Sequence, residues 1–312
     1  MKPPIYIDGM LGMGDTIYQR AFVKQLPAGT YIKTAWPELY ADLPVKPVRS
    51  GTTLRTQRKN EHRSVGSFYP PPSPRETKRI FYGPADLAKG SIFEAMRNQF
   101  GVASAALDLP SFGPAQFTHH KPIAVIRPAT VRSEWRSDSR NPDPDYLLRA
   151  SRILRKHFCV ISVADLQDGE EWLVGEEPEA DLKLHAGELN IKELMRLVEH
   201  AAVVVTPVGW ALPAAIAYKT PVFVVAGGRG AHNAPEIVTA PDMDLSRVGW
   251  ALPDNYCRCE AWDHKCDKHI TNFDSKLEAW LNEVVLSGTE QRAGISSRAG
   301  DRALPGTRRT AL

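Results

Sequence analysis

At 312 residues with 43% hydrophobic side chains, the chain is long enough for two domains of ordinary size, each with its own core. A net charge of +3 makes no general demand for a polyanionic partner. No apolar run approaches the length of a transmembrane segment and the opening MKPPIYIDG lacks the apolar region of a signal peptide, so a cytoplasmic protein is expected.

Residues 5–7 read as a strand that runs into GMLGMGDTIYQRAFVKQL, a glycine-rich turn and an amphipathic helix over 9–26. Gly9, Gly12 and Gly14 permit backbone angles closed to other residues. Asp15 stands where a helix N-cap belongs, ahead of Ile17, Ala21 and Phe22 at helical spacing. A carboxylate and free N–H groups therefore meet at the carboxyl end of a strand, where open α/β sheets bind ligands. A helix cap and a ligand site are both open readings of Asp15. The order G-x-x-G-x-G-D is not the dinucleotide fingerprint, and no Lys-Ser/Thr pair follows to make a P-loop.

A second strand is predicted at 30–33 and a helical turn at 37–40. The Pro-, Ser-, Thr- and Arg-rich segment 44–74 reads as a long mobile loop. Residues 45–80 carry nine Lys and Arg, among them Arg55, Arg58 and Lys59, against Glu61 and Glu76. That surplus is either a solvated loop or a contact for an anionic acceptor such as nucleic acid or a phosphorylated glycan. A strand at 79–82 and a helix at 91–100 follow, with Ile92, Phe93, Met96 and Phe100 on one face. Segment 107–120 reads as a linker, which divides the chain into a first domain over 1–118 and a second over 119–286.

The second half alternates apolar strands (123–126, 159–163, 202–205, 222–225) with helices (146–157, 191–200, 211–218), the pattern of a parallel sheet with right-handed crossovers. Within IRPATVRSEWRSDSRNPD, Arg127, Arg132 and Arg136 sit near the carboxyl end of the first of these strands, and guanidinium forks suit phosphate oxygens. Gly209 and the run Gly227-Gly228 offer unobstructed backbone at neighbouring strand ends, while a solvated loop of mixed charge is the plainer alternative. An amphipathic helix over 273–285 is positioned to pack back across the domains, and 287–312 reads as a disordered basic tail. In NYCRCEAWDHKCDKHI, Cys257, Cys259 and Cys266 with His269, or His264 in its place, supply three thiolates and an imidazole, the set a structural zinc takes. Reduced thiols, a strained disulfide and a redox role stay open beside it.

The stretch HAAVVVTPVGWALPAAIAYKTPVFVVAGG, residues 200–228, resembles the donor-binding region of the ADP-heptose:lipopolysaccharide heptosyltransferase family. The matching parts are the strand ending at Thr206, Gly209, the helix Ala214-Ala215-Ile216-Ala217, Thr220-Pro221, and Gly227-Gly228. The opening GMGDTIYQRAFVKQL is similar to the same family's N-terminal Gly-Asp turn. The resemblance implies an α/β, GT-B fold, two Rossmann-like domains facing a central cleft. It further implies an inverting glycosyltransferase using a nucleotide-sugar donor, with Asp15 as base. The donor would meet Arg127, Arg132, Arg136, Glu188, Thr206, Gly209, Trp210, Gly227 and Gly228. The acceptor would meet Gly12, Gly14, Arg55, Arg58 and Lys59. No cofactor is then required for catalysis. The chain departs from the family at the Asp-Thr-Gly…His signature, where TPVGWALP stands at 206–213 without an acid or histidine, so the donor stays open. The acceptor is a lipopolysaccharide core or other glycan, or a modified base in DNA; so divergent a transferase would be at home in a bacteriophage genome. A non-catalytic nucleic-acid-binding module on the same scaffold is the competing expectation.

Overall fold

The computed structural model describes residues 3–287 apart from 65 and 67; of the tail 287–312, expected to be disordered, Ser287 is helical and 288–312 lies outside the described residues. In the first half, strand β1 (Ile5–Asp8) leads into helix α1 (Met13–Val23), followed by β2 (Tyr31–Thr34), a 3-10 turn at Pro37–Tyr40, and β3 (Lys46–Arg49). Helix α2 (Arg55–Arg63), β4 (Glu76–Arg79), the short α3 (Pro84–Leu87) and α4 (Ile92–Phe100) complete it. The sheet order is β3-β2-β1-β4 and every pair is parallel. Helix α4 starts on a capping box, Ser91 with Glu94, and stops at Gly101, whose φ of 66° is left-handed.

Two expectations change here. The segment 44–74 is not one long loop, because it contains β3 and α2. Asp15 is not the N-cap of α1; Gly12 is, and Asp15 lies in the first turn, where the exposed N–H groups still favour a carboxylate.

The second half holds β5 (Ile123–Ile126), β6 (Thr130–Arg132), α5 (Pro144–Arg155), β7 (Cys159–Val163), β8 (Glu171–Leu173) and β9 (Leu182–Leu184). It continues through α6 (Ile191–His200), β10 (Val203–Pro207), α7 (Ala211–Tyr218), β11 (Val222–Val225), α8 (Gly230–Asn233), α9 (Pro235–Val238), β12 (Val248–Ala251) and α10 (Phe273–Trp280). Six strands form a parallel sheet in the order β12-β11-β10-β5-β7-β9, while β6 and β8 pair antiparallel beside it. Counted along this half, that order is the doubly wound 3-2-1-4-5-6 arrangement read from its other edge.

In both sheets the connections reverse direction beside the first strand, between β1 and β4 and between β5 and β10. Such switch points open a crevice at the carboxyl ends of the flanking strands. Helix α1 packs on α7, and one hydrophobic core runs from Ile7, Phe22 and Met96 to Ile161, Val204 and Leu212. The Tyr18 hydroxyl of α1 donates to the Val238 carbonyl at 2.6 Å, joining the halves again. A second core, behind the larger sheet, uses Leu147, Phe158, Phe223, Phe273 and Leu277 and is built wholly from the second half. Helix α10 belongs to this second core and packs on α5 and β12; it stays on the second half instead of crossing back to the first. Its register explains this, since Phe273, Leu277 and Leu281 bury one stripe there while Asp274 and Glu278 pair with Arg149 and Lys156.

Candidate functional site

The two switch points face each other across a cavity of about 600 Å³ lined by both halves. On the first side, the turn after β1 brings Asp15 to the wall, and the segment after β4 brings Tyr82. The Tyr82 hydroxyl donates to Asp15 Oδ1 at 2.5 Å. Asp15 Oδ2 lies over Gly12, where a Cβ would overlap it. Gly9 likewise yields its Cβ space to Gln19, whereas a Cβ on Gly14 would meet the Trp210 Cα at 3.5 Å, an ordinary contact. Gly9 and Gly12 thus serve close approach, and none of the three has a positive φ. Burial pushes the Asp15 carboxyl up to about 6, against the Tyr82 hydrogen bond and the Arg140 charge that favour its ionised form.

On the opposite side, Arg127 follows β5 and Gly209 follows β10. Arg140 donates from Nε and Nη2 to the Val208 carbonyl at 3.0 and 2.6 Å, and the Arg127 guanidinium lies 5.3 Å from the centre of the Trp210 ring. A Cβ at Gly209 would stand 3.0 Å from Arg140 Nη2 and 3.2 Å from Arg127 Nη1, so glycine is what lets both guanidinia close on this strand end. Burial pushes both arginines down to about 10; Arg132 and Arg140 lower Arg127 further against Glu171, and Arg132 and Arg229 lower Arg140 against Tyr82 and Asp15. Among the described residues, neither Arg127 nor Arg140 forms an ion pair with a carboxylate. Half-buried cations without carboxylate partners, facing a cavity, suit an anion.

The residues named from sequence fall into several groups. Gly12, Gly14, Asp15, Lys59, Arg127, Arg132, Glu188, Gly209 and Trp210 line the cavity. Arg132 lies there with its Nε 2.7 Å from the buried Glu171. Arg136 points outward and pairs with Asp138. Thr206 is fully buried, its hydroxyl on the Pro207 carbonyl, and takes no part in the lining. Gly227 and Gly228 press against the backbone of residues 139–141 instead of opening on the cavity. Arg58 is exposed and outside the lining.

Arg55 pairs with Asp165 at 3.1 Å, Glu170 at 3.2 Å and Glu171 at 3.0 Å, and Lys59 with Asp165 at 2.8 Å, so these charges of the basic stretch already face acids of the second half. Arg229, which follows Gly227-Gly228 in the run read from sequence as serving the diphosphate, lines the cavity. Missed from sequence were Arg140, Tyr82 and His232, the last with a buried Nδ1 without a hydrogen-bond partner among the described residues. The quoted loop includes Arg140, but spacing alone does not reveal which of its four arginines turns inward.

Beside this wall, the sulfurs of Cys257, Cys259 and Cys266 and a ring nitrogen of His264 all lie within 4.8 Å of one another. Cys259 and Cys266 sulfurs are 3.5 Å apart, and His264 Nδ1 is 3.5 and 3.3 Å from those of Cys257 and Cys266. A tetrahedral ion at about 2.3 Å from sulfur and about 2.0 Å from nitrogen spaces its ligands by roughly 3.3–3.8 Å, so these four residues fit a metal. The histidine is His264; His269 turns to Asp254, 3.9 Å away. All four cysteines are free thiols.

Two Rossmann-like sheets with opposed ligand-binding edges define a GT-B architecture. The chain matches TibC of enterotoxigenic E. coli H10407, described as a dodecameric iron-containing heptosyltransferase solved with ADP-D-β-D-heptose, at TM-score 0.58 and 16% identity, over 93% of this chain and 80% of that one. It matches E. coli ADP-heptose lipopolysaccharide heptosyltransferase II at 0.56 and 14%, over 93% and 100%. A family 9 glycosyl transferase from Veillonella parvula DSM 2008 gives 0.50 and 9%, over 80% and 85%. At these identities the likeness is one of fold. Neither a family model nor a curated protein matches the chain. Among the described residues, no helix is long and apolar enough to cross a membrane.

Proposed function

We propose that the protein is an inverting glycosyltransferase that moves a sugar from a nucleoside-diphosphate donor to an acceptor hydroxyl. The first domain, 1–118, would hold the acceptor and the second, 119–286, the donor. The observation that carries this reading is the convergence of one carboxylate, Asp15, and the guanidinia of Arg127 and Arg140 on a single cavity from opposed switch points. In the transfer, Asp15 accepts the acceptor's hydroxyl proton as the oxygen attacks the anomeric carbon. The bond from that carbon to the diphosphate breaks, its electron pair leaving with the phosphate oxygen. Arg127 and Arg140 stabilise the charge that develops there, without reorganisation at the moment of reaction.

The similar folds of TibC and heptosyltransferase II support a sugar-nucleotide donor, and the acceptor is a hydroxyl compound of glycan type. Engagement of Arg55, Lys59 and Arg63 with the second half takes three of the nine cations of the basic stretch away from a DNA backbone. A structural zinc at Cys257, Cys259, His264 and Cys266 is part of the proposal, because three thiolates and one imidazole close all four positions.

A thermal-shift panel of ADP-, GDP- and UDP-sugars beside a duplex DNA titration at two salt concentrations tests the reading. Stabilisation by one nucleotide sugar is expected; steeply salt-dependent DNA binding with no nucleotide effect would instead favour a binding module. With the donor identified, Asp15→Asn should keep donor binding and lose about 10²- to 10⁴-fold in turnover. Undiminished transfer by the folded variant would sink the assignment.

A further inference from the structure

We infer that occupancy of the cysteine–histidine metal site sets the affinity of the cleft for the donor diphosphate, through the backbone that carries Arg140 and Arg229. The inference rests on the donor reading given above and adds a control to it.

The loop that carries the four ligands and the wall that carries the arginines are one hydrogen-bonded unit. The carbonyls of Ala261 and Trp262, between two of the ligands, accept from Ser139 Oγ at 2.7 Å and Ser139 N at 3.0 Å. Ser139 O in turn accepts from Gly228 N at 2.7 Å, and a Cβ on Gly228 would collide with the Cys266 sulfur. The next residue is Arg140, whose guanidinium is fixed on Val208.

Arg229 is tied in twice, from its Nε to the Glu260 carbonyl at 3.0 Å and through Gly230 N to the Cys257 carbonyl at 2.8 Å. It sits at φ 57°, a left-handed conformation that costs a non-glycine residue about 1 kcal/mol and persists only where the surroundings impose it. The ligand loop does the imposing.

The loop has polar ties, among them Arg258 with Glu236, Lys268 with the Asp138 carbonyl and Asn255 with Asp267, but no regular frame. From 254 to 269 no residue lies in a helix or strand and none is fully buried, so a closed metal site is the added cross-link that fixes its carbonyls. Without that cross-link, Arg229 and the 137–141 segment lose the partners that aim their charge at the cavity. Linkage then requires the converse: a bound diphosphate tightens metal binding by the same factor.

The test titrates ADP, GDP and UDP into zinc-loaded protein and into protein stripped by a chelator under reducing conditions, with circular dichroism reporting whether the fold persists. About one zinc per chain, and a nucleotide Kd raised about tenfold on stripping, are expected. The same nucleotide should raise the apparent zinc affinity, measured against a chromophoric chelator, by that same factor. Equal nucleotide affinity with and without zinc overturns the coupling while leaving the donor reading in place. No nucleotide binding by the loaded protein removes the donor reading and the coupling together, and absence of any stoichiometric metal, zinc or iron, removes the coupling alone. Should stripping unfold the chain, Ser139→Ala decides the matter in the zinc-loaded state. Weaker nucleotide binding at unchanged zinc content supports the link, and unchanged binding overturns it.

Discussion

Asp15 is ionised at physiological pH but holds a proton to unusually high pH for an aspartate, because burial pushes its carboxyl up to about 6 while the Tyr82 hydroxyl and Arg140 favour the ionised form. As a base it works only when ionised, so kcat/KM should climb on an acid limb centred near 6, and Tyr82→Phe, which removes a hydrogen bond to the carboxylate, should move that limb to higher pH. A limb that stays put in the variant would separate Tyr82 from the proton transfer. Stability runs the other way. The folded pKa is raised above the ordinary 3.8, so between the two values the native state holds a proton the unfolded chain has released, and stability falls as pH rises through about 6. Asp15→Asn should therefore gain roughly 1–2 kcal/mol at neutral pH, read from denaturant midpoints at pH 5 and 7.5. At this scale the sequence singled out Asp15 but left a helix cap and a ligand site open for it, and the fold puts it in the first turn of α1 on the cavity wall. The sequence was silent on Tyr82, which reaches Asp15 from 67 residues away through a fold no local pattern encodes.

Helix α2 shows where pattern reading stops. Its sequence RTQRKNEHR contains no apolar residue, so no hydrophobic periodicity marks it. Polar contacts hold it on both sides: Asn60 donates to the Ala35 carbonyl and Glu61 accepts from Ser50 in the first half, while Arg55, Lys59 and Arg63 reach the second. Glu134 of the second half even accepts from the Arg55 N–H, one of the N–H groups that the first turn of a helix leaves free. The joint centres on Glu171, 1% exposed, 3.0 Å from Arg55 Nη2 and 2.7 Å from Arg132 Nε, with the Thr130 hydroxyl at 2.9 Å. Removing Arg55 leaves Glu171 with Arg132 and Thr130 and Asp165 with Lys59, so the loss is that of charge-assisted hydrogen bonds, not of all compensation. Arg55→Ala should therefore cost about 1.5–3 kcal/mol in thermal or denaturant unfolding, and a loss below about 0.5 kcal/mol would show the cluster to be solvated. The helices with apolar stripes, α4, α5 and α6, were by contrast legible, and capping boxes at Ser91 and Asn190 mark two of their starts.

Over the whole molecule, the second half was the readable one because its strands are buried on both faces: β10 and β11 have no exposed residue, and runs such as VVVTP and VFVV need no alternation to be seen. In the first half, β3 and β4 are partly exposed and short, and their composition resembles loop. What no part of the sequence announced is that a single core continues from one sheet to the other through α1 and α7. Two sheets sharing one core should unfold together, so calorimetry should return one transition with equal calorimetric and van't Hoff enthalpies; two resolved transitions would contradict a shared core.

The halves are thus joined along two seams of unlike chemistry, apolar packing between α1 and α7 and charge between α2 and the second half. The charges of the α2 seam are largely buried, and buried charge is screened by salt far less than exposed charge, whereas apolar contact is strengthened by sulfate and phosphate. Ions of that kind tighten the α1–α7 seam and leave the α2 seam nearly as it was. In such a medium the two halves are clamped together along the hinge side instead of being prised apart at the α2 edge.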